Sequence, residues 1–204
     1  KIWKFQIINS KTYPYSESWK SNLKTISKKN LLEINKIDED YTNLLSKYVI
    51  KFINEFSIKN IDFVSSHGHT ALHDPENSFT YQIGNLPSIS KKLGYKVICD
   101  FRVQDINLGG QGAPLVPVGE EYLFSDYNSF INLGGFANIT KTIKNKIIAY
   151  DICPINIVFN SLCNKIELEY DDNGDVAASG KINKALFDEL QSLKFYSLPY
   201  PKSL

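Results

Sequence analysis

Three stretches of this 204-residue chain carry side chains able to do chemistry. The first, "SSHGHTALHDP" at residues 65–75, holds all three histidines, His67, His69 and His73, with Asp74 beside the last. On a strand His67 and His69 share a face, as do the His-x-His pairs that open several metallohydrolase sites. Such sites need further imidazoles downstream, and none follow. With Gly68 between them and Thr70 after, the pair also suits neutral donors and acceptors for a polar ligand at a strand's end. Ligand hydrogen bonding, a structural polar cluster and a metal site are all open on these residues alone.

The second stretch, "DFRVQDINLGGQGAP" at 100–114, sets Asp100, Arg102 and Asp105 ahead of Gly109, Gly110, Gln111 and Gly112. Two carboxylates five residues apart suit one general base and one orienting or metal-associated acid. The glycines let a backbone come close to a ligand and present N–H groups to it. Arg102 is the single arginine among 23 basic residues, and its planar fork makes bonds that lysine does not. The plainer alternative is a salt bridge from Arg102 to an aspartate, pinning an irregular loop. The third stretch, "NLGGFAN" at 132–138, can bend a backbone around phosphate oxygens through Gly134, Gly135 and Asn138. A glycine pair in a strand pattern is otherwise a bulge, and neither a Walker loop nor a dinucleotide fingerprint is present.

The elements that must hold these groups alternate between strand and helix. "WKFQIINSK" (3–11) has strand composition, and Ser16 is placed to cap a short helix running to about residue 27. Tyr41, Leu44, Leu45, Tyr48, Val49, Phe52, Ile53 and Phe56 recur at helical spacing, with Asp38 and Asp40 expected near that helix's positive N-terminal end. "IDFVSS" (61–66) predicts a strand running into the histidines and "TYQIGN" (80–85) another. "PSISKKLG" predicts a short helix from Pro87 to Gly94, and "YKVICDF" a buried strand. The glycine- and proline-rich run at 102–124 predicts a long irregular loop at a strand's C-terminal edge, where α/β folds keep ligands. "SFINLGGFANITKTIKNKIIAYDI" reads as strands joined by tight turns, with the two glycines interrupting the first. Pro154 is expected to open a helix through Ile166, "DDNGD" is a polar turn, and "KALFDELQSLKFY" a last helix.

Composition narrows the function. A hydrophobic fraction of 43% is enough for a real core, and a net charge of +1 argues against a nucleic-acid binder, which needs a basic excess on one face. No apolar run approaches the ~20 residues that cross a bilayer, so no membrane partner is expected and the cytoplasm is the expected location. Cys99, Cys153 and Cys163 are odd in number and widely spaced, which suits reduced core thiols. The chain has no methionine, begins "KIWKFQ" and ends "PYPKSL", and so reads as a piece of a longer protein.

Together, "SHGHTALHDP", "QIGN", "DFRVQDINLGGQGAPLVP" and "INLGGFANIT" resemble the successive motifs of the anhydro-N-acetylmuramic acid kinases, with "PKSL" similar to the point where that family enters its C-terminal half. The resemblance covers most of the chain from about residue 60. It implies an α/β fold, a ribonuclease H-like or actin-like ATPase superfamily lobe with a mixed sheet flanked by helices, incomplete at both ends. Residues 1–204 would be the central portion of the kinase, comprising the sugar-side lobe and the phosphate-binding hairpin. It further implies an ATP- and Mg²⁺-dependent enzyme of peptidoglycan recycling that opens the 1,6-anhydro ring of an amino sugar with water and phosphorylates O6. By motif, Asp105 would be the catalytic base. His67, Gly68, His69, Thr70, Arg102, Gly109, Gly110, Gln111 and Gly112 would line the sugar cleft, and Gly134, Gly135 and Asn138 would meet the phosphates; no protein-held metal is implied. A homodimer is expected at full length.

Two departures stand beside the resemblance. Where many members carry Asp-Thr-Gly-Pro-Gly-Asn, this chain keeps Asp151, Pro154 and Asn156 but has Ile152, Cys153 and Ile155, which weakens any expectation of a backbone contact to ligand at 152–155. A Gly-Thr-Ser-x-Asp phosphate loop and the nucleotide-side lobe are missing, so the chain alone is expected to be inactive. The rival readings are a non-catalytic sugar-binding module and a metal-dependent hydrolase using His67 and His69.

Overall fold

A computed structural model describes residues 3–113, 115–143, 146–200 and 202. Pro201, Ser203 and Leu204 of the "PKSL" end lie outside the described residues. The chain divides into two compact units, residues 5–115 and residues 116–204 with the first four.

The first unit is built around one long helix lying on a hairpin. Helix α1, Glu17–Thr25, starts where Ser16 accepts from the Trp19 N–H, as the sequence predicts. Helix α2, Leu31–Glu55, begins some seven residues before the two aspartates. Asn30 and Glu33 form a reciprocal capping box there, a signal overlooked beside the stronger apolar repeat. Asp38 is therefore not an N-terminal charge but a buried residue inside the helix, 2% exposed. Strand β1, Val64–Ser65, pairs in parallel with β4, Val97–Ile98, and β2, His69–Asp74, pairs antiparallel with β3, Phe79–Ile83. Ile26, Ile34, Tyr41, Ala71 and Ile83 form the core between α2 and the hairpin. Ile34 and Ile83 are wholly buried, each contributing about 1.5–3 kcal/mol of transfer free energy.

Helix α3, Ser88–Leu93, ends at Gly94 in the left-handed region, as predicted. Three expectations change here. β4 is a two-residue strand with Ile98 40% exposed, not a buried one. The run expected to be irregular contains helix α4, Phe101–Asn107, and helix α5, Val116–Leu123, with residues 108–113 outside both. Pro117 sits in the first turn of α5, where its missing N–H costs nothing, so proline content misled. Residues 3–11 form no strand among the described residues; Trp3 N–H donates to Tyr122 O, but no ladder of such bonds assigns the segment to a sheet.

The second unit is a three-stranded antiparallel meander, β5 Ser129–Leu133, β6 Phe136–Ile143 and β7 Lys146–Pro154. Gly134 and Gly135 form the β5–β6 turn rather than interrupting a strand. Pro154 ends β7, and helix α6, Asn156–Asn164, opens two residues later. The polar "DDNGD" turn is a short 3₁₀ segment at Asp172–Gly174 before α7, Asp175–Ser179. The last predicted helix is split at Ser192–Leu193 into α8, Lys184–Gln191, and α9, Lys194–Ser197. The class is α/β, with the strands distributed over three small sheets. None of the three cysteines is in a disulfide, and Cys163 is buried. No helix of the described residues is long and apolar enough to cross a membrane.

Candidate functional site

The first unit gathers the histidine turn, the end of β3 and the start of α4. Gly68 makes the turn possible: its φ is +68°, and a Cβ there would lie 2.5 Å from the Ile83 carbonyl oxygen. The kink separates the two histidines that a continuous strand would have put on one face. His69 enters β2 opposite Ile83 and lies beside Tyr41, with ring centroids 6.1 Å apart and planes tilted by 56°. Burial, and secondarily the charge of His67, hold its imidazole below the usual histidine range. Thr70 pairs with Gln82 in the hairpin, and His73 sits further along β2 against the Thr80 hydroxyl.

His67 turns instead toward α4. The Nε–H of Arg102 donates to His67 Nε2 at 2.8 Å, and a guanidinium has no acceptor, so Nε2 carries the lone pair. The proton then sits on Nδ1, where it is directed at Gly68 O, 3.0 Å away. Both ring nitrogens are thus engaged, which contradicts a paired His67–His69 metal centre on geometric grounds. Among the described residues there is no group of three His, Cys, Asp or Glu side chains placed to hold a metal ion.

Arg102 does not form the salt bridge to aspartate weighed as the plainer alternative. Its Nη1 donates to Gly112 O at 2.6 Å, while Gly112 N–H donates to Asp105 Oδ2 at 2.7 Å. One buried peptide unit pair at Gly112 therefore joins the two side chains of α4, with the arginine on its carbonyl and the aspartate on its N–H. Gly110 presses on the same carboxylate: a Cβ there would sit 2.2 Å from Asp105 Oδ2. Asp105 Oδ1 takes no hydrogen bond among the described residues. One carboxylate oxygen is held and the other is open, an arrangement able to accept a proton from a bound molecule. Gly109 and Gln111 are exposed at the turn's rim.

Asn85, which the sequence reading did not single out, holds this assembly together with Asp100. Asn85 Oδ1 accepts from the Ser66 hydroxyl, and its Nδ2 donates to His67 O and to Asp100 Oδ1. Asp100 has a positive φ of 61° at the residue before α4. Beneath it, Cys99 is pushed up to about 11 by burial and then by Asp100, so it is no ready nucleophile at neutral pH. The signals were present: "QIGN" ends a strand on a polar residue, and Asp38 falls on the inward face of α2 between Ile34 and Tyr41.

The other expected phosphate-binding group lies in the second unit. The Gly134–Gly135 turn is fastened by the start of α6: Asn156 Nδ2 donates to Leu133 O and Gly134 O, and the Ile155 and Ile157 N–H groups donate to Gly135 O. Neither glycine has a positive φ, and Cβ atoms there would meet nothing within the chain closer than 3.6 Å. The chain's own packing does not demand glycine at 134 or 135. Asn138 is not in the turn but in β6, paired with Asn132 on one side and Asp151 on the other. Directly opposed residues share a sheet face, so Asn132, Asn138 and Asp151 form a polar row across the three strands. Ile152, Cys153 and Pro154 belong to β7.

Comparison with known proteins gives one family. The sequence model of anhydro-N-acetylmuramic acid kinase matches residues 2–204. A relative from Haemophilus influenzae named anhydro-N-acetylmuramic acid kinase is 37% identical over 97% of this chain and 55% of its own length. Proteins of the same name from Clostridioides difficile and Aliivibrio fischeri are 41% and 34% identical, over 72% and 94% of this chain and 42% and 55% of theirs. The chain spans about half the length of the curated relatives it matches.

Proposed function

Because the chain belongs to the anhydro-N-acetylmuramic acid kinase family, we propose that the full-length protein opens the 1,6-anhydro ring of anhydro-N-acetylmuramic acid with water and transfers the γ-phosphoryl group of ATP to O6. The product is N-acetylmuramic acid 6-phosphate, formed in peptidoglycan recycling. Asp105 takes a proton from the attacking water as its oxygen bonds to C1; the C1–O6 bond breaks, O6 receives the phosphoryl group and ADP leaves. The observation that carries this reading is the Asp105 carboxylate, held through Oδ2 by the Gly112 N–H at 2.7 Å with Oδ1 left open.

His67, Gly68, His69, Thr70 and residues 109–112 line the sugar cleft. Arg102 serves that cleft by holding the loop, since its two bonds go to His67 and Gly112 O. Gly134 and Gly135 meet the phosphates of ATP, with Asn138 behind them in the sheet. Mg²⁺ accompanies ATP, and no step is assigned to it, because no acidic cluster among the described residues is assembled to hold it. We place the enzyme in the cytoplasm as a homodimer, a state that light scattering on the full-length protein checks.

The test is the mass of the product formed from ATP, Mg²⁺ and the anhydro sugar. The reading requires a gain of both one water and one phosphoryl group on the same sugar. Release of inorganic phosphate with the sugar unchanged, or ring opening without phosphorylation, contradicts it.

A further inference from the structure

Helix α4 carries both Arg102 and Asp105, yet it has only seven residues and no side-chain cap at its start. So short a helix does not hold its own orientation in water. Something outside it must fix where Asp105 points, and the structure offers one side chain that reaches both the histidine turn and the residue before the helix. Asn85 is 9% exposed and uses its whole amide: Ser66 Oγ donates to Oδ1 at 2.9 Å, while Nδ2 donates to His67 O at 3.4 Å and Asp100 Oδ1 at 3.2 Å. The amide cannot be reversed, because His67 O and the Asp100 carboxylate are acceptors only and need the NH₂ group.

Asn85 is itself fixed from below. Gly84, with φ +96°, lies so close to Tyr41 that a Cβ would come within 2.8 Å of its ring. Its N–H donates to Asp38 Oδ1 at 2.6 Å, and the same buried carboxylate accepts from the Tyr81 hydroxyl at 2.6 Å and Thr42 Oγ1 at 3.2 Å. A carboxylate buried without a cation is tolerable only when donors surround it; Thr42 supplies one from within α2, and the bonds from Gly84 and Tyr81 lock the end of β3 and the turn after it onto that helix. The order of support runs from Asp38 to Gly84, to Asn85, to Asp100 and His67, and so to both ends of the Arg102–Gly112–Asp105 group.

We propose that Asn85 is a positioning residue of the enzyme: it docks the start of α4 against the histidine turn and thereby aims Asp105, without touching substrate. The proposal rests on the reading of Asp105 as the base, and the test separates the two. In the full-length protein, Asn85→Asp sets a second carboxylate against Asp100 while keeping the Ser66 bond. Turnover number for the anhydro sugar is expected to fall about tenfold or more at pH 8, with KM changed less than about threefold, since displacement of a catalytic group costs rate rather than binding. Combining Asn85→Asp with Asp100→Asn restores the contact between residues 85 and 100 with donor and acceptor exchanged, though not the donor to His67 O, and turnover is expected to recover part of the loss.

A single variant within twofold of the parent overturns the proposal, as does a double variant no better than the single. Should Asn85→Asp fail to fold, Ser66→Ala takes its place: amide exchange in α4 that quickens, while that of β2 and β3 stays protected, supports the docking role, and unchanged exchange in α4 refutes it. Turnover that survives Asp105→Asn sinks the base assignment and with it the aiming of a base, while the loss and partial rescue at residues 85 and 100 still report whether Asn85 docks the start of α4.

Discussion

Gly110→Ala offers a sharp perturbation of the site, because the three atoms nearest the added methyl all belong to the Asp105 carboxylate. Its position is 2.2 Å from Asp105 Oδ2, 2.5 Å from Cγ and 2.7 Å from Oδ1, against an ordinary contact of 3.4 Å or more, so the carboxylate must retreat by over 1 Å. The backbone at 110 is not in the left-handed region, so alanine itself is unstrained there. Retreat breaks the 2.7 Å bond from Gly112 N–H, a charge-assisted bond worth about 1.5–3 kcal/mol, partly offset by the ~0.4–1 kcal/mol gained from a less flexible unfolded chain. The protein should therefore stay folded, less stable by about 0.5–2.6 kcal/mol. A misplacement of about 1 Å costs on the order of a hundredfold in rate, equivalent to about 2.7 kcal/mol of transition-state stabilisation. The assay is kcat/KM for the anhydro sugar in the full-length protein, read with the thermal midpoint. Gly94→Ala is the control: φ is +73° with open space around it, so it should cost about 1 kcal/mol of stability and leave the rate alone. A folded Gly110→Ala enzyme within threefold of the parent would refute the claim that the position of this carboxylate governs the reaction.

Arg102→Lys keeps the charge but cannot bond His67 Nε2 and Gly112 O at once, so kcat/KM should fall about tenfold or more in steady-state assays. Tyr81→Phe removes one of three donors to buried Asp38 and should lower stability by about 1.5–3 kcal/mol, read from urea unfolding. His69 titrates below its ordinary 6.5 in the folded protein, so the unfolded chain takes up the proton first. Its contribution to stability is whole above pH 6.5 and declines as pH falls through the folded value, which NMR titration of the ring and acid unfolding should show together. Tyr41 and Tyr81 are both raised above 10.0, mainly by burial and next by their bonds to Tyr15 and Asp38. Their share is therefore present below pH 10 and lost progressively above it, which ultraviolet titration of the phenols against unfolding should reveal.

The local rules were the easiest to read from sequence. Ser16 capping, the Gly94 stop and the strand around residues 80–83 follow from patterns a few residues long, and all three stand in the fold, whereas β2 and its pairing with β3 were not read. The α4 and α5 helices did not announce themselves, because "RVQDIN" is too short for periodicity and Pro117 and Gly119 look like breakers. Residues of the candidate site were visible where glycine spacing marks close backbone approach, as at 109–112. What the sequence does not carry is which side chain faces which. Arg102 looked equally suited to a carboxylate, yet meets an imidazole and a carbonyl. Asp38 lies 46 residues from Gly84, and only the folded contact of α2 with the end of β3 reveals their bond.

The most direct test of the central claim is ADP release by the full-length protein with ATP, Mg²⁺ and anhydro-N-acetylmuramic acid, run beside Asp105→Asn with sugar binding measured by calorimetry. Sugar-dependent turnover in the parent, with a loss of at least about a thousandfold in the variant and sugar affinity retained, is the expected result. Turnover that survives Asp105→Asn, or none in the intact parent, would contradict it.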